Sequence, residues 1–131
     1  MSENAGPDTL VWVGRALSGL AISFLAFDAF GKVTRVAQVV EGTVKLGVPE
    51  SLLVGIGITL FVCTALYAIP QTAVIGAILL TGYLGGAVAI HVRIENPWLT
   101  HALFPVYVGV FVWGGLLLRD HRLGALIPFV K

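Results

Sequence analysis

The chain has 131 residues, 57% of them hydrophobic and 11% charged, with a formal net charge of +1. A water-soluble domain carries about 45–50% apolar and about 25% charged residues, and a small one leaves much of its surface exposed, so such an excess could not be hidden. The composition excludes an ordinary soluble globule, and the balanced charge gives no footprint for a polyanion, so nucleic acid is not an expected partner.

The first apolar segment covers about 9–30 and is interrupted by Arg15 and Asp28. Its length meets the roughly 20 residues needed to cross about 30 Å of hydrocarbon. No basic stretch precedes it and two charges fall inside it, so a retained span is expected rather than a cleaved leader. Arg15 and Asp28 lie roughly 20 Å apart along a helix, too far to pair, and Arg15 is expected to reach its own interface. Gly14 with Ser18, and Gly82 with Gly86, have the four-residue spacing that lets helices pack closely in lipid.

Residues 32–48 follow, with Val33, Val36, Val40 and Val44 at helical spacing and Lys32, Arg35, Gln38, Thr43 and Lys45 between them. This pattern predicts an amphipathic helix at the membrane surface, its valines towards lipid or the bundle. An isolated strand there would leave its backbone unpaired beside lipid.

The second span covers about 50–69 and the third about 72–91, separated by a tight turn at Pro70-Gln71 with Thr72 as N-cap. The fourth covers about 97–118, where Asn96 would cap a helix opened by Pro97, placing His101 in its first turns. Pro105 cannot donate to the His101 carbonyl, so a kink is expected there. Cys63, the lone cysteine, lies in an apolar run; it cannot form an internal disulfide and reads as a small hydrophobe. Trp12, Trp98, Trp113, Tyr67 and Tyr107 fall near span ends, as an aromatic belt would, whereas Tyr83 lies in mid-span.

These elements predict an all-α integral membrane protein, a single membrane domain over 1–131. Four antiparallel transmembrane helices would form a bundle, with the interfacial amphipathic helix between spans one and two. Both termini would then share one side. Arg119, Arg122 and Lys131 on that side nearly balance Lys32, Arg35, Lys45 and Arg93 on the other, so the positive-inside rule does not decide orientation. Cytoplasmic termini are the expectation carried forward.

An up-and-down path brings Asp28, His91 and His101 to one face of the membrane, beside Lys32 and Arg93. Ionisable groups within a span are costly and mark candidate sites. Asp28, Lys32, Tyr83, His91, Arg93 and His101 are therefore the candidate ligand-binding residues. Asp28 and Lys32 can pair along the helix, and a histidine can relay protons near neutral pH. The Tyr83 hydroxyl could donate to a quinone or lipid headgroup, or bond a neighbouring helix carbonyl. Two histidines without further ligands do not make a metal site, and no catalytic set is assigned.

The segments Phe27-Asp-Ala-Phe-Gly-Lys32, Val48-Pro-Glu-Ser-Leu-Leu53, Ile78-Leu-Leu-Thr-Gly-Tyr-Leu-Gly-Gly-Ala-Val-Ala-Ile-His-Val-Arg93 and His101-Ala-Leu-Phe-Pro105, with Trp113-Gly-Gly, span nearly the whole chain. Together they resemble the DoxX-like family of small bacterial membrane proteins. The resemblance implies four spans in the bacterial cytoplasmic (inner) membrane. It also implies an association with redox metabolism, since relatives are linked to thiosulfate:quinone oxidoreduction or to membrane complexes handling oxidative stress. The function expected is that of a quinone- or lipid-binding membrane subunit, with Asp28, His91, Arg93 and His101 at the pocket mouth; its cofactor is left open, with quinone the candidate. The competing reading is a non-enzymatic structural or assembly protein, working in a larger membrane complex or as a homo-oligomer. A small-solute transporter is disfavoured, because no two discontinuous halves are seen. Whether the protein is an enzyme is left open.

Overall fold

The computed structural model describes residues 7–120 and residue 123. Arg122 and Lys131, counted above for orientation, lie outside the described residues. Among the described residues five α-helices follow one another: α1 Pro7–Val33, α2 Ala37–Lys45, α3 Leu53–Ala68, α4 Ala73–Arg93 and α5 Phe104–Arg119. Short 3-10 turns at Glu50–Leu52 and Pro70–Thr72 lead into α3 and α4, and a π-turn at Trp98–Ala102 leads into α5.

Among the described residues four stretches are long and apolar enough to cross a bilayer: Thr9–Val33, Glu50–Ala68, Pro70–Arg93 and Trp98–Arg119. In their most apolar windows only 22–33% of residues are buried by the protein itself. The remaining apolar surface requires a nonaqueous solvent, because helices apolar on all sides are solvated by lipid or by other protein. The helices form a closed ring in which α1 packs on α3 and α5, and α4 packs on the same two.

The inward positions keep a spacing of three and four residues: Ser18, Ala21, Leu25 and Ala29 on α1, and Ala73, Gly76, Ala77, Leu80 and Leu84 on α4. Leu60, Cys63 and Tyr67 of α3 and Val108, Val112 and Leu116 of α5 complete the core. Such spacing is the seam along which membrane helices cross at shallow angles. Cys63 is buried there as the small hydrophobe expected. Glycines set the closest approaches. A Cβ on Gly14 would lie 2.7 Å from the Gly115 carbonyl oxygen, and one on Gly57 would lie 2.8 Å from the Lys32 Cβ.

Gly14 and Ser18 thus serve the close packing their spacing suggested, at the contact of α1 with α5. Gly82 and Gly86 do not: a Cβ on either would meet nothing within 4 Å.

The connector differs from the helix expected over 32–48. Lys32 and Val33 belong to α1, and the chain then turns through Thr34 and Arg35, the latter at φ 58°. Only Ala37–Lys45 is helical, and the chain leaves it through Gly47 at φ 85°. Val36 and Val44 are exposed, and the buried residue of α2 is Thr43. What the valine spacing did not show is that Thr43, one of the polar residues, turns inwards to a partly polar cavity.

Two expected caps also differ. Thr72 makes no cap; its hydroxyl donates back to the Leu66 carbonyl at 2.7 Å. Asn96 does not cap span four: Pro97 occupies the N-cap position, and the Asn96 amide nitrogen meets His91 Nδ1 instead. Pro105 does not kink a continuous helix. It stands in the first turn of α5, after the π-turn has changed the chain's course, where its missing N–H costs nothing.

Tyr67 is not part of an aromatic belt but is fully buried. Its hydroxyl donates to the Val112 carbonyl at 2.6 Å, so the Ser18 hydroxyl, 2.8 Å away, must be the donor to Tyr67. Trp113 likewise turns to the protein, donating from Nε1 to the Thr81 hydroxyl at 2.7 Å. Trp12 and Trp98 do stay exposed.

Candidate functional site

A cavity of about 430 Å³ lies between the four spans at the end where α1 finishes and α4 finishes. Its walls are apolar, including Leu25, Ile56, Leu84 and Val108, and its polar groups are Asp28, Lys32, Thr43, Tyr83 and His91. Thr43 reaches it from α2, which with Leu46 and Val48 closes that end.

Asp28 and Lys32 face the cavity from successive turns of α1. The ammonium donates to Asp28 Oδ1 at 2.5 Å, with the two side chains 31% and 15% exposed respectively. An acid four residues before a base is the favourable order on a helix. Neither charge could be held alone in a lipid-facing bundle without a cost of several kcal/mol, so the pair carries both in at zero net charge.

Tyr83 projects from α4 towards the same space. Among the described residues no hydrogen bond reaches its hydroxyl, so the neighbouring-carbonyl alternative does not hold. The phenol stands in a mostly apolar wall with its donor unused. His91, at the last turn of α4, also lines the cavity. The Asn96 amide nitrogen lies 2.7 Å from its Nδ1. An amide N–H can only donate, so Nδ1 accepts and the ring proton sits on Nε2.

Arg93 and His101 lie outside the cavity wall. The Arg93 guanidinium donates to the Leu46 carbonyl at 3.1 Å and packs under Gly47, binding the end of α4 to the chain that leaves α2. Arg35 pairs with Glu50 and ties the other end of this connector to the turn before α3. His101 is exposed on the π-turn, its Nδ1 2.8 Å from the Thr100 hydroxyl. Its ring stands edge-on to His91 with centroids 6.0 Å apart. The structure thus brings Asp28, Lys32, Tyr83 and His91 together, with His101 behind His91 and Arg93 in the strap above.

Sequence reasoning did not anticipate Thr43 or the apolar walls at Ile56, Leu84 and Val108. Thr43 was read as the polar face of a surface helix, and nothing in the pattern of α2 distinguishes a hydroxyl facing water from one facing a cavity. Among the described residues no three of His, Cys, Asp and Glu converge on a common point.

Residues 16–115, most of the chain and all of the cavity-lining segments, match the sequence profile of the DoxX-like family. The chain belongs to the DoxX-like family. No curated relative and no solved structure matched it. With four apolar spans besides, this DoxX-like protein is a multi-pass membrane protein.

Proposed function

We propose that this DoxX-like protein is a quinone- or lipid-binding subunit of the bacterial cytoplasmic membrane, serving membrane redox metabolism. The spans run up and down in antiparallel order, α2 lies at the membrane surface, and the termini are cytoplasmic. The reading is carried by one observation: an apolar cavity of about 430 Å³ that meets an Asp28–Lys32 pair, a Tyr83 hydroxyl without a partner and His91. Ligand sites are mostly apolar cavities of about 300–1,000 Å³ with a few convergent polar groups.

Net charge chooses between the two ligand classes. With Asp28 and Lys32 cancelling, the polar wall offers hydrogen-bond donors and no free charge, which suits the carbonyls of a quinone. A free fatty acid or anionic phosphate would have to part Lys32 from Asp28. Tyr83 and the Nε2 proton of His91 are the donors to the quinone oxygens, and the Asp28–Lys32 pair can exchange a proton with a reduced quinol.

Thermal unfolding of the purified protein in detergent, with and without a benzoquinone carrying a decyl tail, tests this reading. Ligand at a hundred times its Kd should stabilise the native protein by about 2.7 kcal/mol. Asp28→Asn should still fold yet give no ligand-induced rise in Tm. The same side chains also support a non-enzymatic structural reading, because Lys32 already satisfies Asp28 within α1. On that reading Asp28→Asn lowers Tm and neither form responds to quinone.

A further inference from the structure

We infer that the cavity is filled from the lipid and not from water, through a lateral portal between α3 and α4 whose movable side is Tyr83. The inference rests on the quinone reading above and adds the route. Four of the five ways into the cavity are shut by packed or tied groups. At the membrane-surface end α2 and its connector lie across it, held by Arg93 on the Leu46 carbonyl and by the Arg35–Glu50 pair. Between α1 and α3, Gly57 is pressed against Lys32 and Val33. Between α1 and α5 a groove of about 340 Å³ shares Phe24, Phe104 and Val108 with the cavity, but the two rings meet edge to face with centroids 5.3 Å apart and Val108 is buried behind them. Between α4 and α5 an outer groove of about 370 Å³ also adjoins the cavity, but the partition there is Leu84 and Pro105, both buried, whereas Ile56 and Tyr83 on the α3–α4 side are only half-buried.

The fifth side differs. Helices α3 and α4 touch tightly near their connecting turn, where Gly76 abuts the backbone of Leu66 and Tyr67. Towards the cavity end nothing comparable joins them. Gly55 on α3 and Gly82 and Gly86 on α4 are exposed, with nothing within 4 Å of where a Cβ would be. An outer groove of about 400 Å³ lies there, lined by Ser51, Leu52, Gly55, Ile56, Thr59 and Tyr83. Ile56 and Tyr83 line both this groove and the inner cavity, so these two side chains are the partition.

Ile56 is anchored by its own helix, but Tyr83 has no hydrogen bond to break when it swings, since its hydroxyl is unpartnered among the described residues. Rotation about its χ1 would join groove and cavity without moving a helix. The ligand class follows from the route: a molecule partitioned in the bilayer, with a small uncharged polar head for the cavity and an apolar tail left in the groove. Tyr83 is then both the gate and, once swung back, a donor to the head it admitted.

The test measures the rate of binding separately from its strength. Wild-type protein in phosphatidylcholine vesicles is mixed with vesicles holding the decyl-tailed benzoquinone, and quenching of tryptophan fluorescence is followed in time. Gly55→Leu fills the outer groove without touching the cavity wall and should slow association about tenfold, leaving the equilibrium quenching curve in place. Gly85→Leu, equally exposed but on the α4–α5 groove, should leave the rate unchanged. An unchanged rate in Gly55→Leu, or equal slowing in both variants, overturns the portal while leaving quinone binding intact. Absence of quenching in the wild-type protein instead removes the quinone reading, and the portal with it. Both glycines face open space, so either leucine can be accepted by the fold, which retention of wild-type Tm verifies.

Discussion

Tyr67 shows how a few polar atoms organise a core that is otherwise apolar. Its hydroxyl accepts a hydrogen bond from Ser18 of α1 and donates one to the Val112 carbonyl of α5, so one side chain of α3 joins three helices. Within lipid there is no water to replace either bond, yet measured side-chain hydrogen bonds between membrane helices average about 0.6 and reach about 1.7 kcal/mol. Tyr67→Phe loses both bonds and should cost about 1–2 kcal/mol, read as a lowered midpoint in denaturant unfolding from detergent micelles. Tyr107→Phe removes a hydroxyl that bonds the Leu99 carbonyl at an exposed position and should shift the midpoint much less. Equal shifts in the two variants would mean that the three-helix bond contributes nothing special. Tyr83 is the contrasting case, a tyrosine on the neighbouring helix whose hydroxyl is left unbonded at a cavity. Both were legible as tyrosines in apolar runs, but which one is committed depends on residues distant in sequence.

At the level of single helices, α4 carries two kinds of glycine. Gly76 allows the close approach to α3, whereas Gly82, Gly85 and Gly86 stand in open space. A helix interior pays about 1 kcal/mol for each glycine relative to alanine, so the second group weakens α4 without any packing gain inside the chain. Gly76→Val should destabilise the protein by about 1–3 kcal/mol or more, because the atoms it meets are backbone and cannot swing aside. Gly82→Ala should be neutral or stabilise by up to about 1 kcal/mol. Unfolding midpoints of the two variants, measured side by side, check this; a destabilised Gly82→Ala would show that α4 has a hidden neighbour on its glycine face. The sequence offered Gly82 and Gly86 as a packing motif on spacing alone. Spacing identifies a narrow helix face but not whether a partner lies against it. The connector's helix is shorter than its valine spacing suggested, because the chain turns at Arg35 and at Gly47, both at positive φ, on either side of Ala37–Lys45.

For the molecule as a whole, the up-and-down path makes a direct prediction. Topology reporters fused after Gln71 and after Glu95 should report opposite sides of the membrane, since one span separates them; the same side at both points would refute the path. Sequence alone determined the solvent, the number of spans and their limits to within a few residues. The physical reason is that a backbone in lipid must bond internally over about 20 residues, and only long apolar runs permit it. It also placed Asp28, Lys32 and His91 at one end, because chain direction brings the end of span one and the end of span three to the same face. Hydropathy could not say which side of each helix faces inwards, for in lipid the outer surface is as apolar as the core and the usual contrast vanishes. Of the two small-residue pairs with packing spacing, Gly14 and Ser18 do lie at a helix contact, whereas Gly82 meets no neighbour and Gly86 borders the cavity. The tertiary structure alone decided that Tyr67 bonds across three helices, that Arg93 straps the connector instead of lining the cavity, and that Tyr83 divides cavity from groove. Each of these depends on how two helices diverge or meet, a distance set by side chains on both partners that no single segment encodes.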